Sequence, residues 1–178
     1  MESLSSESME TMESVVKSIL DDITQHGLNT WEADLCKISI LSYSITILTK
    51  SIKSTKTPSE ETKKLLIDVL DKITVICRDK KSHSTLKLIT LNGLGGLNMP
   101  DECEEYGNRN LDEILTSLTD LFGEMLSGSD VDDLILSETL KATQRLLLNA
   151  PEQFVLSSES QKKVKFRKLR FNYSQNSN

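Results

Sequence analysis

Cys36, Cys77, Cys103, His26 and His83 are the strongest nucleophiles and metal-binding side chains in this sequence, and they are scattered along it. A zinc site needs about four converging ligands, usually with two of them a few residues apart, and neither histidine has a cysteine at ligand spacing. Nucleophilic catalysis needs a thiol or hydroxyl held against a base, and two isolated histidines supply no marked partner. Cys36 and Cys77 fall in helical patterns, where cysteine behaves as a small buried hydrophobe. The expectation is a protein that is not an enzyme and holds no metal or cofactor.

Asn92-Gly-Leu-Gly-Gly-Leu-Asn98 has the glycine content of a phosphate cradle. It lacks the GxGxxG spacing, the GK[ST] ending, and the strand before and helix after that such a loop requires, so it reads as a flexible connector. With Pro100 it makes residues 92–110 a long loop. Asp101, Glu102, Glu104 and Glu105 lack the alternating oxygens and turn glycine of a calcium loop and read as a solvated acidic turn. Ser127 and Ser129 precede Asp130, Asp132 and Asp133, as acid-directed kinase sites do. Acids at a helix N-terminus give the same pattern.

Charge is the more informative feature. Residues 1–161 hold all 27 Asp and Glu against 15 Lys and Arg, whereas residues 162–178 hold six cations and no acid, so a body of net −12 carries a tail of +6. The candidate anionic-partner residues are Lys162, Lys163, Lys165, Phe166, Arg167, Lys168, Arg170 and Phe171. Cations interleaved with aromatics suit phosphate pairing with base stacking, or an anionic membrane surface. Lys162-Lys163-Val164-Lys165 also matches a basic import signal. The same apolar residues, with Val164, Leu169 and Tyr173, are equally suited to packing on the acidic body.

The elements that carry these residues are helical. In Trp31–Ile52, the most apolar run, Trp31, Ile38, Ile45 and Ile52 recur every seven residues, and Leu41 and Leu48 complete an a/d seam. Ile40, Tyr43 and Ile47 lie off that seam, which predicts a helix apolar on more than one side near the centre of a bundle. Met9, Met12, Val16, Ile19, Leu20 and Ile23 mark a preceding helix closed by Gly27. Thr57, Pro58 and Glu60 mark the start of a third, with Thr57 as N-cap and Leu65, Leu66, Val69, Ile73 and Ile76 on its face. The short linker makes this helix the antiparallel partner of the second. Residues 84–92 fit helix or strand. Asn110 and Glu113 form a capping box ahead of Leu111, Ile114, Leu115, Leu118 and Leu121, with Gly128 as the stop. Ser129 and Asp130 open a last helix whose apolar positions are Leu134, Leu136, Leu140 and Leu147.

The fold expected is all-α: a compact bundle of about five to six helices built from antiparallel hairpins, with a disordered, acidic, serine-rich N-terminus over 1–8, a helical domain over 9–156 and a basic C-terminal tail over 157–178. No run reaches the roughly 18 apolar residues that span a bilayer, and an acidic start is unlike a secretory signal. Three widely spaced cysteines argue for reduced thiols in an intracellular compartment, with the tail as a route to the nucleus. The function expected is protein interaction and self-association, in a compact aromatic-poor chain of the kind that suits a viral structural or accessory protein. The alternative is nucleic-acid association through the tail, and the third is membrane-surface association through the same residues.

Overall fold

Spacings of three and four between apolar residues are realised as helices throughout. The computed structural model describes residues 6–55, 57–98, 104–127 and 132–150, and within them six helices and no strand. They are α1 (Ser6–His26), α2 (Trp31–Ser54), α3 (Glu60–Arg78), α4 (Ser84–Gly95), α5 (Glu104–Ser127) and α6 (Asp133–Leu148). The ambiguous stretch after residue 84 is therefore helix.

Helix ends follow capping chemistry, at positions that partly differ from those the sequence predicts. Gly27 adopts φ 73°, a left-handed conformation open to glycine at little cost, and its N–H reaches the Ile23 carbonyl at 2.9 Å. Thr30 caps α2 by accepting from the Ala33 N–H. The cap of α3 is Ser59 rather than Thr57: its hydroxyl accepts from the Thr62 N–H at 3.1 Å, so Pro58 precedes the helix instead of opening it. A serine one residue past the proline offers the same acceptor as Thr57, and spacing alone does not separate them. Asp132 caps α6 by accepting from the Leu134 and Ile135 N–H groups, in place of the expected Ser129 and Asp130.

The expected long loop over 92–110 is contradicted on both sides. Residues 92–95 are the last turn of α4, and residues 104–110 are the first two turns of α5, so Asn110 lies inside a helix rather than capping one. Glu104 and Glu105 thus begin a helix.

Packing explains the error at the glycines. α4 packs against α2, α3 and α6, while α1 covers α2 and α3, and α5 covers α3 and α6. At its C-terminal turn the glycines remove the side chains that would hold neighbours away. A Cβ on Gly93 would meet Ser42 Cβ at 2.7 Å and Ser42 Cα at 2.9 Å, and one on Gly95 would meet Ala142 Cα at 3.3 Å. Gly93 faces α2 and Gly95 faces α6, two residues and about 200° apart on the helix. The apparent connector is a double helix-crossing point. Side-chain bonds lock the same end: Lys53 Nζ donates to Asn98 Oδ1 at 2.6 Å, and Asn149 Nδ2 donates to the Leu97 carbonyl at 3.4 Å.

The seam predicted for α2 is present. Ile38, Leu41, Ile45, Leu48 and Ile52 are fully buried, and Leu66, Leu70, Ile73, Leu91 and Leu94 complete the centre of the core. Trp31, at the seam's start, is half-buried and stacks on His83, the N-cap of α4, with ring centroids 4.6 Å apart and planes 15° from parallel. Buried hydroxyls of Ser44, Thr49 and Thr139 are satisfied by donating to carbonyls of their own helices at 2.6–2.8 Å.

Two substitutions test this packing. Gly93→Ala gains about 1 kcal/mol of helix propensity but forces a methyl into backbone-contact space, a cost of about 1–3 kcal/mol; a net loss in urea unfolding is expected, larger than for Gly95→Ala. Ile45→Asp places an unpaired carboxylate at a fully buried position. It should remove several kcal/mol, comparable with the stability of the domain, so a parent-like melt by circular dichroism would refute the seam.

Candidate protein-docking surface

The polar groups that sequence reasoning singled out do not converge. His26 Nδ1 lies 3.1 Å from Asp22 on α1, while His83 is on α4 with its Nδ1 accepting from the Thr85 N–H at 3.2 Å, which places the proton of a neutral ring on Nε2. Cys77 is buried, and burial raises its thiol pKa to about 11 against smaller opposing effects from Thr90 and Lys87. Cys36 departs from expectation: it is exposed, because it sits on the face of α2 turned away from the isoleucine seam. Ser127 ends α5 with its hydroxyl donating to the Gly123 carbonyl. Among the described residues no group of three or more His, Cys, Asp and Glu is placed to hold a metal ion.

The strongest polar arrangement joins α1 to α2. Lys37 Nζ donates to Asp22 Oδ2 at 2.6 Å and lies 3.4 Å from Oδ1 of the fully buried Asp34, whose other oxygen accepts the Asn29 N–H. The Lys37 hydrogen bond holds the Asp22 carboxyl below its ordinary range, and Asp22 in turn holds the Lys37 ammonium above its own. This is a clasp on the turn between two helices.

A groove of about 650 Å³ runs between α1 and α3. Leu20 and Leu65 form apolar parts of its wall, and Lys17, Lys64 and Lys72 stand along it with Asp21, Glu61, Asp68 and Asp71. Lys17 pairs with Glu61 at 3.6 Å across it, so the trough is a solvated seam between helices.

The unusual surface is apolar and lies on α6. Ile135, Thr139, Ala142 and Leu146 are the residues α6 buries, spaced i, i+4, i+7, i+11. Leu134, Leu140 and Leu147, expected on the core face, are 57%, 46% and 49% exposed, and Leu148 is 75% exposed. The sequence offered α6 more leucines than one face can bury, and small Thr139 and Ala142 won the core side because α4 approaches there too closely for leucine: Ala142 Cα is what a Cβ on Gly95 would strike. Leu136, Leu140, Thr143 and Leu147 repeat the buried spacing one residue on, about 100° around the helix. Thr143 donates its hydroxyl to the Thr139 carbonyl at 2.8 Å and so needs no polar partner outside. Glu138 and Lys141 pair with each other at 2.7 Å, and no charged residue stands in the stripe.

Elsewhere, Tyr43 on α2 is 70% exposed, so the second apolar side expected of this helix does not extend to it, while Ile40 is partly buried against the core. By length and composition α2 is the one helix among the described residues able to cross a membrane. Its isoleucine seam and Asp34 are buried by neighbouring helices. The tail candidates Lys162, Lys163, Lys165, Phe166, Arg167, Lys168, Arg170 and Phe171 lie outside the described residues, as do Cys103 and Ser129.

Comparisons with protein-family models, curated proteins and solved structures find no match.

The thiols and the clasp give two expectations. Brief alkylation of the native protein at neutral pH should modify Cys36 and spare Cys77, which should react only after denaturation, as peptide mass mapping can read. For the clasp, depressed Asp22 contributes stability that is present above the usual carboxylate pKa and is lost as pH falls through its lowered folded value. Raised Lys37 contributes stability present below the usual lysine pKa and lost as pH rises through its raised value. Lys37→Met should lower the unfolding midpoint at neutral pH and narrow its gap from the parent at both pH extremes.

Proposed function

We propose that this protein is a non-enzymatic helical interaction module that docks another protein on the leucine face of α6, with its basic tail as a second contact. The observation that supports the reading is the leucine surface itself: Leu140 and Leu147, 46% and 49% exposed, stand two turns apart on one stripe of α6, and Leu148, 75% exposed, borders it. Contiguous apolar surface of that kind on a folded domain marks an interaction site. Scattered thiols and histidines and a solvated groove of mixed charge favour no reaction class. The acidic body and the import-type run in the tail fit an intracellular setting, cytoplasmic with access to the nucleus, and the composition suits a viral structural or accessory protein.

A second reading rests on the six cations of residues 162–178. In it the tail binds nucleic acid, or an anionic membrane surface, while the acidic body stays clear of the polyanion.

Affinity capture separates the readings. A partner retained by the parent and lost with Leu140→Glu/Leu147→Glu, at unchanged helical signal, supports docking on α6. If the tail engages single-stranded nucleic acid, affinity should fall with salt at a logarithmic slope no steeper than about −4, from about −0.7 per phosphate contact. Neutralising Lys162, Lys163 and Lys165 should then flatten that slope, and absence of nucleic-acid binding at low salt removes the second reading.

A further inference from the structure

We infer that the partner on the leucine face of α6 is a second copy of the same chain, paired antiparallel about a two-fold axis between Lys141 and Ala142. The inference rests on the docking reading above and names its occupant.

The stripe is self-complementary. Leu136, Leu140, Thr143 and Leu147 have the alternating four- and three-residue spacing with which one helix seats its side chains between those of another. An antiparallel two-fold places Leu136 opposite Leu147 of the second copy and Leu140 opposite its Thr143, so each layer contains a leucine and the smaller threonine always faces one. A parallel pairing would stack threonine on threonine and align the two helix dipoles; the antiparallel one sets them head to tail.

Electrostatics points to the same surface. Each copy carries a net charge of −6, which opposes self-association, and pairing is opposed least across a surface that adds no charge of its own. The stripe is such a place. Glu138, Lys141 and Arg145 project from the opposite side of α6 by the helical spacing, and Glu138 and Lys141 already neutralise each other. Thr143 has its hydroxyl satisfied within the helix, so contact with a leucine leaves no polar group stranded.

Size sets the strength. A 16-residue helix is about 24 Å long, and one helix pair buries less than the roughly 1,200–2,000 Å² of a standard stable interface. The dimer is therefore weak and concentration-dependent, exchanging with monomer across the micromolar range.

Sedimentation velocity of the full chain from 1 to 300 μM tests this directly. The parent should pass from monomer to dimer; Leu147→Glu, at an exposed position that leaves the core intact, should weaken dimerisation at least tenfold; and Thr143→Leu, which replaces the one polar residue of the seam, should strengthen it at least tenfold. Orientation is read by a Leu140→Cys/Thr143→Cys variant under mild oxidation, with the parent as control for native thiols. Peptide mapping should find residue 140 joined to residue 143 of the second copy, and 140–140 links would overturn the antiparallel arrangement. A parent that stays monomeric at every concentration, yet captures a different protein in a way Leu147→Glu abolishes, overturns the second copy as occupant while docking on α6 stands. A monomer whose captured partners are indifferent to Leu147→Glu removes both. If the parent is monomeric but dimerises once Phe154 and Val155 are changed to serine, the chain's own C-terminal segment occupies the stripe, and the inference fails.

Discussion

The close approach of α4 to α2 on one side and α6 on the other is the constraint from which the rest of the fold follows. It depends on two hydrogen atoms where other residues have side chains: Gly93 lets Ser42 come within Cβ-excluding distance, and Gly95 allows a close, less severe approach of Ala142. Dispersion falls off steeply with separation, so the gain is in how many buried atoms of Leu91, Leu94 and Leu97 find neighbours once the helices close. The glycines cost α4 helix propensity, and Ser42 is left with a buried hydroxyl that has no hydrogen-bond partner. Both penalties are of order 1–3 kcal/mol and are offset by a contact that ties the first three helices to the last two.

A second economy operates at the α1–α2 turn, where Asp34 is buried completely. An isolated buried carboxylate would be prohibitive. It is tolerable because the Asn29 N–H and the Lys37 ammonium meet it and because Lys37 is shared with Asp22 on α1. The clasp thus fixes the direction in which α2 leaves the turn, and with it the orientation of the isoleucine seam. One residue past the same turn, Trp31 stacked on His83 couples the first residue of α2 to the cap of α4. Charge and stacking orient the same helix that apolar burial holds.

The leucine face of α6 follows from this packing. Once Gly95 draws Ala142 inward, the helix is rotated so that Ile135, Thr139, Ala142 and Leu146 face the core, and the leucines one position later turn outward. A bundle arranged otherwise would have buried Leu140 and Leu147 and exposed the threonine and alanine. The surface that supports a binding role is accordingly a consequence of close helix contact elsewhere.

Much of this was legible in the order of residues. Helical periodicity survives any tertiary arrangement, so the all-α class, the α2 seam with Ile38, Ile45 and Ile52, the stop at Gly27 and the apolar face of α5 could all be read from spacing alone. What spacing could not reveal is which of two apolar faces a helix turns inward, since a leucine pattern is equally satisfied by the core and by a partner; α6 was misread for that reason, and Cys36 was placed inside for a related one. Glycine carries the same ambiguity, because a residue without a side chain serves a loop through its freedom and a helix crossing through its small size, and only the neighbour's position distinguishes them. Ser42 and Ala142 lie far from Gly93 and Gly95 in sequence, and it is their arrival that makes the glycines structural. The sequence by itself determined that the chain is helical and where its apolar material lies; the tertiary structure decided which of that material is core and which is left to meet something else, because that choice is made by the closest contact in the bundle and not by any one helix.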